Sequence, residues 1–230
     1  MTYSERHRRI VESLAAAVEP VRPLWPVRVR LTLWLLLEAL VLVWVATHTG
    51  NDFMRKLDHP WYAFEVACFA IAATLAAALA LRAAIPGRSG GLGGPIAVIV
   101  LAMIGTKLVM VGAPIRTGYP LAEFLHTGLG CAVGTCALAA PPWIALWWAV
   151  KRGAPTSGAA AGGLIGAAAM LFSFALMRLN CEIDEPLHLI TWHLMPVLLL
   201  TTLSAAAGAA WLRFRPRARL SERSGGGPAM

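Results

Sequence analysis

Charge is what this sequence has least of: only 14% of its 230 residues are Asp, Glu, Lys or Arg, where a water-soluble domain carries nearer a quarter. That shortage excludes an ordinary soluble domain. Cysteine is scarce too, with four residues, Cys68, Cys131, Cys136 and Cys181, and no Cys-x-x-Cys pair among them. A membrane thiol oxidoreductase would need such a pair, and no quinone or haem motif revives an enzymatic reading. The paired ligand spacings of structural zinc motifs are also missing. Although the formal charge is +8, the basic residues never gather into a block interleaved with aromatics, so no nucleic-acid surface is expected. The first apolar run exceeds the roughly 7–15 residues of a cleavable signal peptide, so it is expected to remain as an anchor.

What is present is long apolar runs: 58% of residues are hydrophobic and mean hydropathy is +0.64. A bilayer span takes roughly 20 apolar residues, and the pattern predicts six helices, over 29–48, 62–82, 95–113, 124–150, 158–178 and 187–212. Short linkers carry the breakers, such as Gly50-Asn51, Pro86-Gly87 and Asp184-Glu185-Pro186. The expected fold is an all-α, polytopic membrane protein. Its parts are a segment 1–28, a six-helix domain 29–212 and a basic, disordered tail 213–230.

Orientation follows from the placement of Lys and Arg. With the N-terminus cytoplasmic, fifteen basic residues fall inside and four outside (Arg55, Lys56, Arg116 and Arg178), with Lys107 within a span. Both termini are therefore expected in the cytoplasm. Trp25, Trp61, Trp148 and Trp211 lie near span ends, where interfacial aromatics belong. Gly158, Gly162 and Gly166 recur every four residues and are read as ordinary helix packing within the bundle.

Cys131 and Cys136 point roughly 140° apart on a helix and do not suit one another. Cys131 near the outer end of the fourth span and Cys181 just beyond the fifth are the better pair, both facing the compartment where disulfides persist. Cys68 reads as apolar filler. The richest polar stretch is Cys181-Glu182-Ile183-Asp184-Glu185-Pro186-Leu187-His188, continuing to Trp192-His193. With a helix starting near Asp184, that residue caps it and Pro186 fits the first turn. Cys181, Glu185, His188 and Trp192 follow spacings of four, three and four, which puts most of them on one face. Thiolate, imidazole and carboxylate together suit a metal or redox site.

Glu38, Glu65 and Lys107 are ionisable residues in or near spans. Glu65 and Lys107 are expected to pair or to snorkel, while Glu38 sits nearer mid-membrane. The alternative function is a metal or small-solute membrane transporter that uses Glu38, Lys107 and the His-rich end. At the N-terminus, Ile10, Val11, Leu14, Ala17 and Val18 recur at helical spacing before Pro20, Pro23 and Pro26. This amphipathic segment is expected to lie on the membrane or dock into a partner.

The cytoplasmic segment ending in Val21-Arg22-Pro23-Leu24, the six spans and the Cys181-to-His193 stretch resemble the NrsF family over nearly the whole chain. The members of that family are membrane anti-sigma factors that negatively regulate an extracytoplasmic-function sigma factor, sigma F. The resemblance implies a bacterial inner-membrane protein that is not an enzyme. Its N-terminal region would hold the sigma factor and release it under heavy-metal or oxidative stress, and Ile10, Val11, Leu14 and Val18 are the contact residues expected there from their helical spacing. It further implies Cys131 and Cys181 as sensor thiols, joined by a disulfide or a metal ion. Glu182, Glu185, His188, Trp192 and His193 match the motif as supporting residues without an assigned role, and Cys68 and Cys136 have none. No resident cofactor is expected; a heavy-metal ion enters as the signal.

Overall fold

The computed structural model describes residues 3–16, 23–48, 56–87, 93–112 and 120–212. Among them every regular element is helical: α1 (Tyr3–Ala16), α2 (Val27–His48), α3 (Pro60–Ala83), α4 (Gly93–Gly112), α5 (Leu121–Lys151), α6 (Gly158–Asn180) and α7 (Pro186–Trp211). These bounds lie within three residues of the expected spans. Five helices, α2, α3, α5, α6 and α7, are long and apolar enough to cross a bilayer; the apolar stretch of α4 with described side chains, Gly94–Lys107, is shorter. The chain is a membrane protein. Ala17 and Val18, from the expected amphipathic segment, and the tail 213–230 lie outside the described residues.

In lipid there is little hydrophobic drive for one apolar helix to join another, so close backbone approach decides which helices pack. The most buried helix is α6, held between α3, α5 and α7. On α3, Ala72, Ala73, Ala76, Ala77 and Ala80 are fully buried, so α6 can approach across small side chains. On the other flank, any Cβ added at Gly158 or Gly162 would run into the backbone of α7 at Gly208 and Ser204. The glycines spaced by four therefore serve packing within this bundle. Ser204 Oγ donates to the Gly162 carbonyl at 2.6 Å and accepts from Trp143 Nε1 at 2.9 Å, which ties α5 to the same seam.

The helices give the bundle two distinct ends. At one, Arg30 near the start of α2 donates to the Leu81 carbonyl at 3.3 Å and the Ala149 carbonyl at 3.4 Å, clasping the C-terminal turns of α3 and α5. The segment that leads back to α1 leaves from this end. None of the α1 residues is buried, and Ile10, Val11 and Leu14 are all more than half exposed. At the opposite end lie the start of α7, the end of α6 and the first turns of α5.

Midway, α5 contains Pro141 and Pro142. Neither proline has an N–H to give the preceding turn, which is the usual cause of a kink. Trp34 of α2 fills the site and donates its indole N–H to the Pro142 carbonyl at 3.2 Å. Trp25, Trp61, Trp148 and Trp211 are all exposed on the outside of the bundle, as expected of side chains near span ends.

Two expectations about the ionisable residues need correction. Glu65 does not pair with Lys107, which is exposed. Instead both oxygens of Glu65 take the Arg178 guanidinium of α6, at 2.6 and 3.2 Å, and both side chains are nearly inaccessible. The guanidinium fork matches a carboxylate bidentately, which a lysine cannot do. Asp184 is not the cap of α7: the helix starts at Pro186, Glu185 occupies the cap position without a side-chain bond, and Asp184 accepts from Arg178 at 2.7 Å. Pro186 does occupy the first turn.

Candidate functional site

Cys131 lies ten residues into α5, on the stripe that turns inward. The buried positions Gly128, Thr135, Ala139, Pro142, Leu146 and Val150 recur at three, four or seven residues, and Cys131 falls between the first two, whereas Cys136 lies off the stripe. The Thr135 hydroxyl donates back to the Cys131 carbonyl at 2.9 Å, and the Ser173 hydroxyl of α6 donates to the Thr135 carbonyl at 2.6 Å. The turn that carries Cys131 is thus pinned against α6.

Cys181 is the residue that ends α6, its backbone extended and its N–H donated to the Met177 carbonyl. The turn after it is held by three side chains. Lys56 donates to the Cys181 carbonyl and Tyr62 to the Arg178 carbonyl, while Arg178 itself bridges Glu65 and Asp184. The guanidinium also stacks 4.5 Å from the Tyr62 ring centre. Removing one partner from such a buried pair strands a charge and costs about 3–5 kcal/mol. Burial lowers the Lys56 pKa, against the opposing pull of Asp184.

With both ends fixed, the two sulfurs face each other: Cys131 Sγ and Cys181 Sγ are 3.8 Å apart, as free thiols. His188, from the first turn of α7, places Nε2 3.6 Å from Cys181 Sγ. His193 follows on the next turn, with its ring centre 5.4 Å from that of His188. One donor atom from each of Cys131, Cys181, His188 and His193 lies within 4.8 Å of every other. Both histidines are fully buried. The Cys181 thiol is pulled well below its ordinary pKa by the Cys131 thiol directed at it and, after that, by His188 and His193; burial opposes this without overcoming it. A thiol held near the thiolate is the reactive and metal-binding form.

Around the four donors, Phe124 of α5 stands edge-on to His188 and tilted against Trp192. Trp192 lies against Gly128, where a Cβ would collide with the indole. Three imidazole nitrogens, Nδ1 of His188 and both of His193, are buried with no hydrogen-bond partner among the described residues. Each such atom costs about 1–3 kcal/mol, so the cluster is held in place by its surroundings rather than by its own bonds.

Of the residues singled out from sequence, Cys131, Cys181, His188 and His193 converge. Trp192 packs beside them, Glu185 is buried nearby with Oε2 unpartnered among the described residues, and Glu182 is exposed and stands apart. Cys68 and Cys136 are outside the cluster. Sequence reasoning passed over Arg178, counted there merely as a loop cation, and Tyr62 and Gly128. A lone arginine in the last turn of an apolar helix was the signal for the first; nothing in the pattern marked the other two.

The profile of the NrsF family, described as negative regulator of sigma F, matches residues 14–214. No curated protein matches the chain, and no solved structure does.

Proposed function

This chain belongs to the NrsF family, the negative regulators of sigma F, and from that membership we propose that it is an inner-membrane anti-sigma factor of the extracytoplasmic-function class. It holds its sigma factor through the N-terminal segment and releases it when Cys131 and Cys181 meet a heavy metal or an oxidant. The family match over most of the chain carries this reading, and the paired thiols supply its sensor.

Six spans with both termini in the cytoplasm fit the distribution of basic residues and leave α1 on the inner side. The apolar residues Ile10, Val11 and Leu14 are unburied and make one face of an amphipathic helix, a form suited to a groove on a partner protein. Cys131 lies twenty residues before the end of α5, about 30 Å at 1.5 Å per residue, or one hydrocarbon thickness. The thiols then face the periplasm.

A signal at the thiols can reach the inner side along α5. Below the site come the Pro141-Pro142 pair, the Trp34 contact with Pro142 and the Arg30 contact with Ala149; Trp34 and Arg30 belong to α2, the helix that follows the α1 segment in the chain. Oxidation by a two-electron, two-proton acceptor such as diamide converts the two thiols to one disulfide and the acceptor to its hydrazine. Metal capture forms metal–sulfur bonds and releases protons without electron transfer. Either event ties α5 to the α6–α7 turn. Shifting a sigma-factor equilibrium from 1:99 to 99:1 takes about 5.5 kcal/mol, of which a disulfide typically contributes about 2–4.

Deleting residues 1–20 from the full chain tests the docking claim. The truncated protein is expected to reach the membrane and to lose its sigma factor on co-purification; retention of the sigma factor would refute it. A transporter, the other reading, would move solute in proteoliposomes, and this protein is expected to move none.

A further inference from the structure

Four donors converge here because of one irregular turn. In an α-helix, residues five apart point roughly 140° away from one another, so His188 and His193 would face different sides of α7. A π turn, bonded i→i+5, has more residues per turn and brings residues five apart much closer to one face. The π segment of α7 spans Leu189–Leu194, which is the stretch that carries the chain from His188 to His193. Such turns occur mostly as single insertions within α-helices, frequently at functional sites.

The unpartnered nitrogens are the second observation. Buried polar atoms without partners are rare, yet among the described residues three imidazole nitrogens are left so, within a cluster whose other two members are thiols. A cation would satisfy one nitrogen of each ring. Two thiolates balance a divalent charge and two neutral imidazoles add none, so the loaded centre is neutral, the form that a low-dielectric setting tolerates. Two sulfurs and two nitrogens in tetrahedral reach make the donor set of zinc-like ions.

We propose that Cys131, Cys181, His188 and His193 form a closed four-ligand centre for a thiophilic divalent cation of zinc-like chemistry, with the π turn as the device that recruits His193. Binding makes two metal–sulfur and two metal–nitrogen bonds and releases the thiol protons to solvent. As regulation this rests on the reading of Cys131 and Cys181 as sensor thiols, and it divides their two stimuli. The histidines are needed for the metal, whereas disulfide formation needs only the sulfurs and an electron acceptor.

The test uses the full chain in detergent micelles with Zn2+ and no sigma factor. X-ray absorption at the zinc edge is expected to show one ion per chain with two sulfurs at about 2.3 Å and two nitrogens at about 2.0–2.1 Å. His188→Gln and His193→Gln are each expected to weaken Zn2+ binding by more than about 100-fold, beyond the range for loss of a merely supporting partner. Both variants should still form the Cys131–Cys181 disulfide with diamide and leave Cys68 and Cys136 reduced, the selective pairing that the native fold imposes. A wild-type spectrum with sulfur neighbours alone, or with none, would overturn the centre, as would unchanged affinity in both variants. Since no sigma factor is present, failure here leaves the anti-sigma reading standing, and loss of sigma binding elsewhere leaves the centre standing.

Discussion

Cys131 and Cys181 sit on different helical segments, fifty residues apart in sequence, and their sulfurs are 3.8 Å apart. A disulfide brings two sulfurs to about 2.05 Å, so oxidation requires the α6–α7 turn and α5 to approach by less than about 2 Å. Small movements of this kind become discrete changes where the surrounding helices are tightly packed. The Arg178 ion pairs on one side and the Trp192 contact with Gly128 on the other provide that packing.

Diamide treatment of the purified protein is expected to give one intramolecular disulfide, between Cys131 and Cys181. Cys136 lies off the inward stripe of α5, and Cys68 is buried in α3. Peptide mapping by mass spectrometry should therefore find those two still reduced; a Cys131–Cys136 link would contradict the arrangement.

Gly128→Ala places a methyl group where the Trp192 indole lies, whereas Gly130→Ala meets nothing within 4 Å. The first is expected to destabilise the protein by about 1–3 kcal/mol and to slow disulfide formation; the second should change neither. Denaturation in detergent and the rate of loss of free thiols would compare them.

Loss of either partner in the Glu65–Arg178 pair should be costly, because both are nearly inaccessible. Glu65→Gln or Arg178→Met is expected to destabilise by about 3–5 kcal/mol, and the double change Glu65→Leu with Arg178→Met to recover most of it. Chemical denaturation of the three variants checks this; additive losses would mean that the pair is not coupled.

Much of this architecture was legible in the chain. Runs of apolar residues between Gly, Pro and acidic breakers located the helices to within a few residues, because a bilayer tolerates few other patterns. Pro186 marked the start of α7, and Cys131 and Cys181 were expected as partners from their positions near helix ends. What periodicity could not supply was chemistry that depends on tertiary neighbours. Asp184 reads as a cap until Arg178 is known to stand beside it, and Glu65 has no visible partner when Arg178 is 113 residues away. His193 is out of phase with His188 on any α-helical wheel, and only the π turn aligns them. Gly128 looked like any small residue until Trp192 was found against it.

Ile10→Asp with Leu14→Asp should abolish sigma-factor retention without lowering stability, since neither side chain is buried. Co-purification and thermal denaturation of the same preparation separate these effects. Loss of stability would mean that α1 belongs to the bundle instead of to the partner.

The proposed regulation depends on one link, from a thiol pair at one end of the bundle to a sigma factor held at the other. Its most direct test is co-purification of the sigma factor with the full chain in membranes before and after exposure to Cd2+ or diamide, for wild type and for Cys131→Ser with Cys181→Ser. The wild type is expected to release the sigma factor under both treatments, and the double variant to retain it under both. Release from the double variant, or retention by the wild type, would contradict the account.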